Sequence, residues 1–128
     1  MALTVISLGE PINPYHSVSA EESDAHFVVE LEGVVVAESR RTLLVREGNY
    51  PVRRYFPPDD VRLEHLERDS ETRHCPYKGD WSHLTLRVGD QTIGNAAWTY
   101  HTVLEEFPRI LDHVAFYDTK VTVRVVSD

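Results

Sequence analysis

The chain's only cysteine, Cys75, lies in the stretch RHCPYKGDW, with His74 before it and Lys78 three residues after. A thiol becomes a nucleophile when a neighbouring base or cation favours its thiolate, and Lys78 or a histidine could do so. His74 is adjacent in sequence, however, and neighbouring side chains of an extended segment point to opposite sides. A partner for Cys75 is therefore Lys78 or a histidine distant in sequence. The bland alternative is a small buried apolar side chain followed by a Pro76-Tyr77-Lys78-Gly79 turn. The residue types favour the turn and leave Cys75 as a candidate catalytic residue.

Metal chemistry finds less support. Structural zinc sites use four soft ligands, commonly in paired Cys-x-x-Cys knuckles, and a single cysteine cannot build one. His65, His74, His83, His101 and His113 could supplement it, but none has a His-x-x-x-His partner. No metal site and no cofactor are expected. Asp59-Asp60 follow Pro57-Pro58, where proline suits a first helical position and carboxylates suit the positive helix end. PDDVRLEHLE therefore predicts a short helix rather than a carboxylate pair for a cation.

The elements around these residues are mostly strands. Residues 8–25 are rich in Pro, Ser and Glu without periodicity, which predicts an irregular N-terminal arm over 1–25 and one domain over 26–128. HFVVEL and VVVAES flank Glu32-Gly33, a hairpin composition. Val34, Val36 and Glu38 are expected on one face of the second strand, with Val35 and Ala37 on the other. RTLLVRE and VRRYF continue an antiparallel meander across GNYP. SHLTLRV and QTIGNAAWTY form a second hairpin about Gly89-Asp90. Thr102 and Glu105 have capping-box spacing, and Pro108 restricts that segment to two short helical turns. HVAFY and KVTVRVV predict a terminal hairpin about Asp118-Thr119. The expected fold is mainly β: a small single domain of antiparallel strands with two short helical segments.

The motifs VVVAESRRTLLVRE, YFPPDDV, CPYKGDWSHLTL, NAAWTYHTV and HVAFYDTKV occur in the order that resembles the bacterial family called domain of unknown function 427. The resemblance covers roughly Phe27 to Val123 and implies a β-tent type of domain with no established reaction. The family sometimes carries a nucleotidyltransferase label. Nucleotidyl transfer needs carboxylates spaced for Mg²⁺ and glycine-rich backbone around phosphates. Neither Asp-x-Asp nor Gly-x-x-x-x-Gly-Lys occurs, so an enzyme, of this kind or dependent on Cys75, stays an alternative. A protein-interaction module using a sheet edge is another. The CPYKG and NAAW motifs flank one predicted hairpin, which brings Lys78 towards Trp98. With Glu38, Arg41 and Tyr55 from the other motif-bearing strands, they are the expected lining of a cleft for a small polar or anionic ligand. Lys78 and Arg41 would hold the anion, Trp98 and Tyr55 form an aromatic wall, and Glu38 orient the cations.

Bulk properties narrow the partners. The 128 residues suit one domain, and the net charge of −8 disfavours nucleic acid, which requires a basic face. Arg40, Arg41, Arg46, Arg53 and Arg54 nevertheless fall close together. One cysteine forms no intrachain disulfide, which fits the cytoplasm. The first residues, MALTVISLGEP, lack the basic start of a signal peptide, and no run approaches the roughly 18 apolar residues of a membrane span. A homo-oligomer is compatible with all of this.

Overall fold

The computed structural model describes residues 2–5, 18–48, 51–75, 79–103 and 110–126, the first of these by backbone alone. The strands are β1 (Ala2–Val5), β2 (Val18–Glu22), β3 (Phe27–Leu31), β4 (Val34–Ser39), β5 (Leu43–Glu47) and β6 (Arg53–Phe56). They continue with β7 (Leu66–Arg68), β8 (Arg73–Cys75), β9 (Gly79–Val88), β10 (Gln91–Val103), β11 (Val114–Phe116) and β12 (Thr122–Val125). The domain is mainly β, as the alternation predicts. Among the described residues no helix is long and apolar enough to cross a membrane.

Two sheets share the chain. The larger runs β1-β2-β5-β6-β11-β10-β9-β7, with β8 also on β9, and the smaller runs β12-β3-β4. Pairing is antiparallel throughout both. The expected β3–β4 hairpin forms because Glu32 and Gly33 both take positive φ, 52° and 79°, the geometry of a type I′ turn. Its alternation is broken, though. Val29 pairs with Ala37 but Glu30 with Val35, so Val36 is an extra residue. The bulge turns both Val36 and Ala37 into the core rather than to opposite faces.

The small sheet and one face of the large one enclose Val29, Val36, Phe56, Leu84, Leu86, Val114 and Phe116. The other face of the large sheet carries a second core of Leu43, Val45, Tyr55, Trp98, Tyr100, Ile110 and Ala115. Tyr55 and Phe56 are neighbours in β6 and serve opposite cores, as do Ala97 and Trp98 in β10. Central strands buried on both faces leave little room for polar alternation.

Several local expectations give way to tertiary pairing. Pro58–Asp60 and Leu63–His65 are separate 3₁₀ turns, not one helix. Between them Val61 bridges to Ala37, and the Arg62 amide donates to the Val36 carbonyl. Those bonds fasten the segment to β4 and interrupt any helical ladder, and Leu66–Arg68 then joins β9 as a strand. Thr102 is no helix cap but part of β10, paired with Asp80; its capping-box partner Glu105 lies outside the described residues. The expected terminal hairpin does not form. All three residues of β11 are buried between β6 and β10, whereas β12 crosses to β3, where the Arg124 guanidinium donates to Glu30. The early meander likewise divides after Ser39, sending β4 and β5 into different sheets. Inside the segment read as an irregular arm, Val18–Glu22 pairs along the whole of β5.

Candidate functional site

Trp98 stands at the centre of the large sheet, where the NAAW segment pairs with β9 on one side and β11 on the other. Only 7% of it is exposed. Its indole nitrogen donates to the Tyr55 hydroxyl at 3.0 Å, and the two rings meet edge to face at 6.1 Å. Tyr117 lies against it with ring centroids 4.5 Å apart. The expected Trp98–Tyr55 neighbourhood is therefore present, with Tyr55 fully buried behind Trp98 rather than beside it at a surface. Tyr55 can hold the indole in place, but it cannot touch a ligand without exposure.

Glu38 and Arg41 share a different groove. It is a broad opening of 520 Å³ lined by His26, Glu38, Ser39, Arg40, Arg41 and Asp60. Glu38 bonds to the His26 imidazole, not to Arg41. Arg41 turns to Asp60 at 3.2 Å and Asp59 at 3.8 Å, while the Ser39 hydroxyl donates to Asp60 at 2.6 Å. Charges that have found partners inside the protein gain less from a ligand, because the ligand must displace those partners. Lys78 lies outside the described residues.

A smaller cleft of 280 Å³ adjoins Trp98. Its described lining is Phe27, Val52, Arg53, Arg54, Phe56, Trp98, Phe116, Asp118 and Val123. β6 sends Arg53 and Tyr55 to the Trp98 face and Arg54 and Phe56 to the other, so at the strand's beginning two consecutive arginines straddle the sheet. The Arg53 guanidinium lies 5.5 Å from the centre of the Trp98 ring. That of Arg54 stacks 3.6 Å from the centre of Phe27 and donates to the Thr42 hydroxyl at 2.6 Å. Among the described residues neither arginine has a carboxylate partner. Burial pulls Arg54 below its ordinary pKa, as desolvation of a cation must when no anion offsets it. The arginines are legible in the sequence as a basic cluster, whereas Phe27, on the small sheet, and Asp118, in the turn after β11, reach the cleft only through tertiary packing.

On the same face as Trp98, outside the described lining of the cleft, Cys75 packs partly buried against the second core. His74, next to it, bonds instead to Asp80 at 2.7 Å, and among the described residues no hydrogen bond joins the thiol to a base. Among those residues there is also no group of three or more metal-ligating side chains. His83 is half-buried between Trp81, which meets it edge to face at 4.9 Å, and the Tyr117 hydroxyl at 3.2 Å from its Nε2. Burial, then the Arg73 guanidinium, lowers its pKa below the usual value. Between that lowered pKa and about 6.5 the unfolded chain binds more protons at this site. The His83 contribution to stability is thus complete above about pH 6.5 and is lost as pH falls through the folded pKa. An NMR titration should show its imidazole staying neutral below pH 6.5, and His83→Gln should flatten that part of the stability profile; a midpoint above 6.5 would contradict the burial argument.

A family model for a domain of unknown function, DUF427, matches residues 19–127. The chain belongs to the DUF427 family. The match begins within β2 and takes in every later strand, both 3₁₀ turns and every described residue of the cleft. It agrees with the resemblance read from the CPYKG and NAAW motifs. No curated protein matches the sequence. Within this DUF427 domain the strands that follow and carry the two motifs pair with each other: Tyr100 of β10 with Trp81 of β9, and Trp98 with His83. NAAW supplies a small-residue pair and then a large ring. Ala96 and Ala97 are fully buried, where larger side chains would meet the first core.

Proposed function

We propose that this domain binds a small organic anion with a flat apolar body in the cleft between Arg53, Arg54 and Trp98. The reading rests on one observation above all: two consecutive guanidiniums line a single cleft without a carboxylate partner among the described residues, in a chain of net charge −8. Guanidinium is suited to carboxylate or phosphate because its planar fork makes two parallel hydrogen bonds. The cleft volume of 280 Å³ lies just below the roughly 300–1,000 Å³ typical of small-molecule sites. Phe27, Phe116 and Trp98 supply apolar edges for the rest of the ligand. In this reading Trp98 is the aromatic wall and Tyr55 its hydrogen-bonded support, while Glu38 and Arg41 belong to the neighbouring groove.

The test compares benzoate with benzamide, which has the same shape without the charge, by calorimetry and by the indole N–H resonance of Trp98. Benzoate is expected to bind and to shift that resonance; benzamide is not. Arg53→Gln, at an exposed position, should weaken benzoate about tenfold or more, the worth of a charge-assisted hydrogen bond, and leave the melting temperature nearly unchanged. Equal binding of the two probes, or an Arg53→Gln variant with unaltered affinity, would refute the reading.

A further inference from the structure

The same cleft holds a charge of the opposite sign. Asp118, two residues beyond the end of β11, lines it together with Arg53 and Arg54 and is exposed. Among the described residues its carboxylate has no ion pair or hydrogen bond, so no cation lies within reach of it. Among the described residues none of the cations lining or flanking the cleft is paired with it. Arg54 is directed to Thr42 and over Phe27, Arg53 sits over Trp98, and Lys120 donates to the Gly94 carbonyl at 3.1 Å. A cleft that contains both signs and has not cancelled them is complementary to a ligand that carries both.

We infer that the ligand is zwitterionic: a free α-amino acid with an aromatic or bulky apolar side chain. Its carboxylate meets Arg53 and Arg54, its ammonium meets Asp118, and its side chain lies along Trp98, Phe27 and Phe116. This rests on the proposed anion site and adds the second charge to it. A dinucleotide or a long acyl chain would not fit 280 Å³, whereas a single amino acid is of the right size. A simple monoanion leaves Asp118 opposing it, since a like charge near a bound carboxylate disfavours binding. The cleft therefore discriminates by net charge as well as by shape.

Three probes with the same ring and chain separate these contributions: L-phenylalanine, 3-phenylpropionate, which lacks the ammonium, and 2-phenylethylamine, which lacks the carboxylate. With the unaltered chain, L-phenylalanine is expected to bind at least tenfold more tightly than 3-phenylpropionate, and 2-phenylethylamine to bind weakest. Asp118→Asn keeps the size and one acceptor oxygen of the side chain while removing its charge. It should abolish the advantage of L-phenylalanine and leave 3-phenylpropionate as tight as before or tighter. If 3-phenylpropionate binds as well as L-phenylalanine to the unaltered chain, the zwitterion inference fails and the anion site stands. If neither binds, both fail. An advantage for L-phenylalanine that survives Asp118→Asn also overturns the role of Asp118.

Discussion

Replacing Trp98 with alanine is expected to remove about 3–5 kcal/mol of folding stability, the usual cost of truncating a buried large aromatic side chain. Trp98 is 7% exposed and is held by Tyr55, Tyr117 and the Arg53 guanidinium, so little around it can collapse into the space left. The hydrogen bond to Tyr55 goes as well. Against a typical total of about 5–15 kcal/mol, such a loss takes a large share of the stability. Urea denaturation should show it as a lower midpoint at an unchanged slope. Trp98→Phe separates packing from recognition. It keeps most of the buried ring but loses the indole N–H, so it should cost about 1–3 kcal/mol while weakening benzoate through the poorer surface offered to Arg53. A Trp98→Ala variant as stable as the parent would mean that the second core does not depend on this ring.

Gly79→Ala is expected to be comparably damaging through a different cause. A Cβ at Gly79 would lie 2.0 Å from the Thr102 carbonyl oxygen and 2.7 Å from the Val103 Cα, and φ there is +135°. The obstructing atoms are backbone of the paired strand, which cannot turn aside as a side-chain tip does. Strained backbone and overpacking each cost about 1–3 kcal/mol, so a combined loss of about 2–6 kcal/mol is expected. Gly79 also begins β9, where it pairs with Val103 of β10 and Cys75 of β8. The variant should therefore loosen the junction of three strands, visible as faster amide exchange at Arg73–Cys75 and Thr102–Val103. Gly94→Ala is the internal control: a Cβ there meets nothing within 4 Å, and its melting temperature should match the parent. Equal melting temperatures for all three chains would refute the steric argument.

The glycine of CPYKG thus has a structural reason to be glycine that its motif alone does not reveal. As a turn residue, it would need only a permissive φ. In the fold it must also admit the β10 backbone at Thr102 and Val103, residues more than twenty positions later. Cys75 obeys the same logic. Its neighbour His74 bonds to Asp80, Cys75 packs against the second core, and no hydrogen bond among the described residues joins it to a base.

What the sequence determined by itself was the local alternation and turn chemistry: a mainly β domain, the Glu32-Gly33 and Gly89-Asp90 hairpins, and the family. These arise from interactions a few residues apart, in which apolar spacing of two and glycine at positive φ leave few alternatives. The tertiary structure decided which strands become neighbours. It placed β4 and β5 in separate sheets, carried β12 to β3, made strands of Leu66–Arg68 and Val18–Glu22, and divided the predicted helix at Val61. It also decided the site. Tyr55 and Trp98 could be paired in advance as aromatic partners, but Glu38 found His26 and Arg41 found Asp60. Arg53, Arg54, Phe27 and Asp118 were brought to one cleft by the pairing of β6 with β11 and by the packing of the small sheet, which carries Phe27, against the large one. Strand pairing joins residues far apart in sequence, and a charge chooses its partner by distance in space; neither distance is written in the order of residues along the chain.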